Sequence, residues 1–320
     1  MAPHGRKIVI LGASGQIGKP ALKTLLAHGA HTVTAIQRLE ATSVFPPGVI
    51  VKKGNLEDEV WLAEVLKGQD ALILMPPLSA LVSLQEPAIR AAAKVSLPYV
   101  FPSEFGPDPF AGELITENGL LVAKKSVRDL IERLGVSSWV SIAVGPWLDG
   151  GLAPGLWGID AKARKATIWR GADAKASNAS IKHTGEAVGA VLGLPEAELA
   201  KFKNKAVYTP SSTLSQREIL EAVQRATGTT NADWDIKERD VKDMAKEYEQ
   251  KISEGDGFAP YVKFFVTHFL PGHGGDFSHK VDPAVIKQLE ALGLGLETPE
   301  EVIKEALQEE LQVELKGKKV

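Results

Sequence analysis

Apolar residues in the first half of the chain fall in short unbroken runs, and between the runs they recur at helical spacing. The run KIVILGA (7–13) shows no polar alternation, as expected of a strand buried on both faces of a parallel sheet. An amphipathic stretch over 16–28 follows and predicts a helix. The same unit then repeats. Strands are predicted at HTVTAIQR (31–38), GVIVKKGN (48–55), DALILMPP (70–77), YVFPSEFG (99–106) and SSWVSIAVGPW (137–147), with helices over 57–67, 83–95 and 117–135. Strand and helix alternating in this way predict an α/β, Rossmann-type doubly wound parallel sheet. Right-handed crossovers bring the strand ends to one shared ligand edge.

After Trp147 the pattern breaks, and LDGGLAPGLWG reads as loop. Residues 196–208 are read as a return to the sheet. From Ser215 the spacing predicts helices over 215–227, 241–253, 261–269, 283–292 and 299–311. The expected organisation is a Rossmann domain over 1–151, with a return segment near 178–210, and a smaller, mainly helical substrate domain over 152–320.

Composition changes the picture mainly by exclusion. A chain of 320 residues, 44% apolar and 24% charged, is long enough for a large core. Its net charge of −3 and its lack of basic runs interleaved with aromatics give no reason to expect nucleic acid or an anionic membrane as partner. Cysteine is absent, which removes disulfides, zinc–thiolate centres and thiol nucleophiles. The 7–13 run is too short and glycine-interrupted for a membrane span, and no signal peptide is recognised. The expected compartment is therefore the cytoplasm, the expected partner a small molecule, and the expected state a monomer or homodimer.

The chemistry begins at LGASGQIG, which spaces Gly12, Gly15 and Gly18 directly after a strand and at the opening of a helix. In that context Gly12 permits the tight turn, Gly15 a close backbone approach to a pyrophosphate, and Gly18 the packing of helix on strand. The free amides and positive end of the helix then face the phosphates, with Ser14 adding a hydroxyl donor. The second strand ends AIQR. Where an NAD-binding chain places a carboxylate for the ribose, this one has Gln37 and Arg38, with Glu40 the first acidic residue after them. An arginine fork suits a 2′-phosphate, so the sequence favours NADP over NAD; the alternative is a solvated strand-end charge.

Other reaction machinery is missing. Four residues after Tyr99, Tyr208, Tyr248 and Tyr261 stand Ser103, Ser212, Ile252 and Phe265, so no Tyr-x-x-x-Lys pair exists. There is no G-x-S-x-G elbow. His268, His273, Asp276 and His279 cluster in a glycine-rich segment without helical ligand spacing; it is read as a polar substrate-side loop, and no metal is expected. His183 is read as belonging to the start of a helix capped by Thr184, the alternative being a place at the ligand edge.

The adjacent lysines of ENGLLVAKKSVRDLIERLG are separated by helical geometry. At about 100° per residue with Val127 at zero, Leu120, Ala123, Lys124, Leu130, Ile131 and Leu134 fall within about 60°, whereas Lys125 falls at about 160°, with Arg128, Asp129 and Glu132 around it. Lys125 is thus a solvent-face partner of Asp129. Lys124 borders the buried face, where desolvation lowers a lysine pKa toward the range useful for proton transfer. Simple snorkelling along the sheet edge explains the position equally well.

Taken in order, ILGASGQIGKPALKTLLAHG, AIQR, VFPSEFG and KKSVRDLIE resemble the isoflavone reductase-like, or NmrA-like, branch of the atypical short-chain dehydrogenases, over about the first 150 residues. The resemblance implies an NADPH-binding domain paired with a smaller domain that shapes the substrate pocket. It implies a cofactor site of Gly12, Ser14, Gly15, Gln16, Ile17 and Gly18, with Arg38 on the 2′-phosphate. Asn55 would lie near the adenine, Met75 near the adenosine ribose or pyrophosphate, and Pro102 and Ser103 near the nicotinamide. It also implies a catalytic acid/base lysine on the helix after PSEFG. Ungapped alignment of SVRDLIE places that lysine at Lys124. The implied activity is NADPH-dependent reduction of a small aromatic or conjugated substrate. Some NmrA-like proteins instead bind NADP(H) without turnover as redox sensors for a transcription partner, and these generally lack the lysine. Where plant-type members carry a Phe-Gly-Tyr-like stretch, this chain has VGPWLDGGL, so no particular substrate is carried over. Trp147, Leu148, Leu156, Trp157, Phe264 and Phe265 are read as an apolar pocket, although aromatics in such places are more often core.

Overall fold

The computed structural model describes residues 4–317, with side chains to residue 308. The first half runs β1 (Lys7–Leu11), α1 (Gly18–Ala27), β2 (Thr32–Gln37), β3 (Val49–Lys53), α2 (Glu59–Leu66), β4 (Ala71–Leu74), α3 (Gln85–Lys94), β5 (Tyr99–Phe101), β6 (Phe105–Gly106), α4 (Gly112–Glu117), α5 (Gly119–Leu134) and β7 (Ser138–Ala143). Then come β8 (Ile159–Asp160), β9 (Lys165–Arg170), β10 (Ala176–Asn178), α6 (Ile181–Leu192), α7 (Glu196–Leu199), β11 (Lys205–Tyr208), β12 (Ser212–Leu214), α8 (Gln216–Thr227), β13 (Asp235–Asp240), α9 (Val241–Ser253), α10 (Ala259–Thr267), α11 (Pro283–Glu290) and α12 (Pro299–Gly317).

The main sheet has the order β3-β2-β1-β4-β5-β7-β11, all parallel, with the short β6 also pairing β7. This is a Rossmann-type doubly wound sheet, and the order reverses between β1 and β4. The continuous apolar run of β1 is explained by burial on both sides. Ile8 and Ile10 join one core with α1 and α6. Val9 and Leu11 join the other, with α2, α3 and α5. Residues 181–208 recross the sheet: α6 packs on α1, and β11 pairs with β7.

Two breaks depart from the sequence pattern. Pro102 and Ser103 interrupt the 99–106 strand, leaving β5 and β6. The helix expected over 117–135 begins at Gly119, because Asn118 takes an extended conformation and closes α4. Its buried side-chain amide donates to Leu114 O at 2.8 Å and Thr267 Oγ1 at 3.1 Å, tying the junction to α10.

A second core lies beyond Trp147. Trp157, Trp169, Phe265 and Phe269 pack there with the apolar faces of α8 and α10. The Trp157 ring meets Phe265 edge-on at 4.6 Å between centroids. This region is less purely helical than its sequence pattern predicts: β8, β9 and β13 form a three-stranded sheet, and β10 pairs with β12. The strand β13, DIKERD, lies at the edge of its sheet with most side chains exposed, so it carries no apolar alternation to read. Among the described residues no helix is long and apolar enough to cross a membrane.

Candidate functional site

The glycine loop fills the crevice where the strand order reverses. Gly12 has φ +89°, and a Cβ there would stand 2.0 Å from Met75 O at the end of β4. A Cβ on Gly18 would stand 2.2 Å from Gly12 O, so this glycine lets α1 close on the loop. Gly15 N–H donates to Gly12 O at 2.9 Å and closes the turn. A Cβ on Gly15 would meet only that oxygen, at 3.2 Å. Ser14, Gly15 and Gln16 are exposed, and Ile17 is half-buried. No side chain caps α1, and its first turn holds no acidic residue. The N–H groups of Ser14, Gln16 and Ile17 donate to nothing among the described residues. Such an uncapped end, with open amides, fits a phosphate.

At the far end of this edge, Arg38 and Asn55 border one surface cleft of about 310 Å³ with Leu84. Arg38 is exposed, and its Nε lies 3.3 Å from Glu40 Oε1. Asn55 holds its own turn, accepting from Glu57 N–H at 3.0 Å. Between cleft and loop, Gln37 is buried at the end of β2, and its Oε1 has no hydrogen-bond partner. Met75 is buried beside Gly12, and its N–H donates to Leu11 O at 2.9 Å.

Lys124 is buried at 8% exposure on α5, whereas Lys125 is exposed and paired with Asp129 at 2.8 Å. Lys124 Nζ lies 3.8 Å from where a Cβ on Gly106 would stand. It makes no hydrogen bond or ion pair with the described residues. Burial pushes its pKa below the ordinary lysine value, Glu104 opposes that, and Arg128 adds to it. The lysine lines a cavity of about 200 Å³ whose walls include Gln16 of the glycine loop, Phe105, Pro146, Trp147, Tyr261 and Phe264. A wider chamber of about 490 Å³ shares Leu78, Leu120, Tyr261 and Phe264 with it. The cavity therefore links the glycine loop, Lys124 and an apolar aromatic wall.

Of the other residues expected at the pocket, Leu156 and Phe265 line it as well. Leu148 and Trp157 do not. Both are essentially fully buried in the second core, where Trp157 Nε1 donates to Leu148 O at 2.9 Å. They back the wall, because burying a whole indole there is worth more than exposing it to a cleft. Pro102 is buried, and Ser103 is held through its N–H by Gln85 Oε1 at 2.8 Å.

Three further differences have clear causes. The helix at 181 is capped by Ser180, whose hydroxyl accepts from His183 N–H; Thr184 instead donates its hydroxyl to Ser180 O. His183 is buried between Gly295 O and Thr209 O, away from the cavity. His268 is fully buried and bonded to Phe264 O at 2.5 Å, and burial holds its imidazole down to about 4. His273 reaches Glu117 instead, at 3.1 Å. Arg128, grouped with the solvent face by its helical angle, is 5% exposed and ion-paired to Glu104. The periodicity of α5 alone could not reveal it, because the carboxylate comes from the β5–β6 segment.

Gln85 was also illegible. Its amide is buried, bonding Ser103 N–H and, through Nε2 at 2.7 Å, Leu81 O. It thereby fixes the segment before Lys124's wall to α3. A lone glutamine on a helix face carries no sequence signal for that.

Comparison with known proteins bears on the fold and the family. Oxidoreductase aprR of Aspergillus flavus is 27% identical over 278 residues, covering 85% of this chain and 90% of that protein. The crystal structure of isoflavone reductase superposes with a TM-score of 0.73 at 20% identity, covering 94% of this chain and 99% of that one. The binary complex of leucoanthocyanidin reductase with NADPH from Vitis vinifera gives 0.71 at 18% identity, over 94% and 99%. At such identities the structural likeness speaks to the fold. A family model described as NmrA-like matches residues 4–263, taking in the glycine loop, the Glu104 segment and α5, and the chain belongs to the NmrA-like family.

Proposed function

We propose that the chain is an NADPH-dependent reductase of a small aromatic or conjugated substrate, with Lys124 as general acid/base. The observation that carries this reading is a buried lysine without a bonded partner among the described residues, on the wall of an apolar cavity that opens onto the glycine loop. The relatives named as oxidoreductase and isoflavone reductase, and the NADPH complex of leucoanthocyanidin reductase, support it.

In this reading residues 1–151 and the return segment near 178–210 hold the dinucleotide, and the rest of 152–320 shapes the substrate side. The open amides from Ser14 to Ile17 hold the pyrophosphate, Arg38 the 2′-phosphate, and Asn55 borders the adenine. Met75 backs the loop, and Pro102 and Ser103 line the nicotinamide side. The bound cofactor would supply a hydride. Lys124, as ammonium, would give its proton to the substrate oxygen as that oxygen takes the electron pair of the bond that opens, the π bond of a carbonyl or the C–O bond of an ether, while the carbon receives the hydride. A lysine whose charged form is destabilised by burial is the better proton donor. Trp147, Tyr261 and Phe264 orient a flat ring and exclude water.

The test is NADPH oxidation against a panel of aromatic carbonyls and benzylic ethers. Lys124→Met is expected to lose about 10²–10⁴-fold in kcat, while Lys125→Met keeps the rate. Full rate in Lys124→Met overturns the assignment. Tight NADPH binding with no turnover across the panel is the behaviour of a redox sensor instead.

A further inference from the structure

We propose that the buried Glu104–Arg128 pair is a positioning device that sets the protonation state of Lys124, Arg128 engaging Glu104 so that its carboxylate does not pin the lysine as a bonded ammonium. The inference rests on the reading of Lys124 as acid/base and assigns a task to two residues outside the reacting groups.

Lys124 and Arg128 stand one turn apart on α5 and are both buried. Glu104, on the β5–β6 segment, is buried at 3% exposure. One buried carboxylate thus faces two buried cations, and among the described residues it bonds the arginine and not the lysine. The arrangement is held from several sides. Arg128 Nη2 donates to Pro109 O at 2.9 Å, and its guanidinium lies 5.6 Å over the Trp139 ring. The Glu104 carbonyl accepts from Ser141 Oγ and Ile142 N–H, each at 3.2 Å. These bonds hold the Arg128 guanidinium and the Glu104 backbone, and the carboxylate itself is held by its ion pair to Arg128.

The division of charge follows from the chemistry of the two cations. A guanidinium keeps its proton in any protein and matches a carboxylate with a planar fork, whereas an ammonium gives its proton up readily when desolvated. Arg128 therefore takes the carboxylate, and Lys124 is left as the group that can titrate. Glu104 still acts on it through space and raises its pKa; Arg128 and burial lower it. The ionisable groups that face Lys124 among the described residues are Arg128 on its own helix, Glu104 from the sheet, and Tyr261 across the cavity from α10.

Opposite substitutions must then move Lys124 in opposite directions. The midpoint of Lys124 is read in the full-length apo chain from the pH dependence of its labelling by an amine-reactive acetylating reagent, quantified by peptide mass spectrometry. This readout needs no turnover. Arg128→Met frees Glu104 for the lysine and is expected to move the midpoint up by about one pH unit, a tenfold loss of free amine at fixed pH. Glu104→Gln leaves Arg128 unopposed and moves it down. The Glu104→Gln/Arg128→Met double variant returns near the wild-type value, and Arg128→Lys, which keeps the charge, stays close to it. Breaking one side of a buried pair is destabilising, so Arg128→Met is checked for folding by circular dichroism. If it does not fold, the downward shift in Glu104→Gln and its reversal in the double variant decide the matter.

Shifts of the two single variants in the same direction, or no shift in Glu104→Gln, overturn the proposal. Unchanged labelling midpoints alongside turnover that requires Lys124 sink this inference alone. Full turnover in Lys124→Met sinks the acid/base reading and leaves the labelling result to stand for the pair.

Discussion

Gly12 and Gly15 sit three residues apart in one loop, yet the structure asks different things of them, and alanine at each separates folding from binding. At Gly12 a methyl group meets two obstacles. The φ of +89° is one that an L-residue rarely adopts, and the Cβ would approach Met75 O to 2.0 Å, more than an ångström inside ordinary contact. The strained backbone costs about 1–3 kcal/mol. Relieving the clash pushes the end of β1 from the end of β4 and endangers the Met75 N–H bond to Leu11 O, worth about 1 kcal/mol more. A loss of roughly 2–4 kcal/mol in a chain of this size lowers the melting temperature by about 3–6 °C. At Gly15 φ is not positive, and a Cβ meets only Gly12 O at 3.2 Å, a contact the exposed turn relieves by a small shift. Gly15→Ala should therefore melt within about 2 °C of wild type. It should still lose about tenfold or more in NADPH affinity, because in the proposed cofactor site the methyl would stand where the pyrophosphate approaches the backbone. Thermal melts followed by circular dichroism, with NADPH titrations by calorimetry, read both effects. A Gly12→Ala chain as stable as wild type refutes the packing argument. A Gly15→Ala chain with unaltered NADPH affinity refutes the placing of the pyrophosphate.

Arg38→Ala should weaken NADPH by about tenfold or more while leaving NADH binding nearly unchanged, as fluorescence titration would show; an equal effect on both cofactors removes Arg38 from the 2′-phosphate. Burial and the neighbouring His28 hold the His31 imidazole down to about 4, against the ordinary 6.5. Because the unfolded chain takes up that proton first, the contribution of His31 is full above about pH 6.5 and is lost as the pH falls toward 4. Urea unfolding of wild type and His31→Asn across that window should show a shallower acid decline in the variant. Parallel curves contradict the assignment. The Lys125–Asp129 pair is exposed, and Asp129→Asn should change stability by less than about 1 kcal/mol in the same urea series.

The sequence by itself determined whatever depends on the periodicity of a single element. The unbroken run of β1 reports a strand covered on both faces, and the glycines after it report a turn that a side chain would block. The angle of Lys124 on its helix already set it apart from Lys125, because burial of a helix face is written every three to four residues along that helix. Tertiary structure alone decided what meets across elements. Arg128 looks solvated on a helical wheel and is buried because Glu104 arrives from a strand end. Gln85 matters because Ser103 lies opposite it. Trp157 and Leu148 stand behind the cavity wall, and β13 is a strand although its residues are charged, since an edge strand needs a paired backbone and no apolar side chains. Local pattern records which face of an element is covered; the identity of the covering group is set by chain folding over long separations, and it is there that the lysine acquires its surroundings.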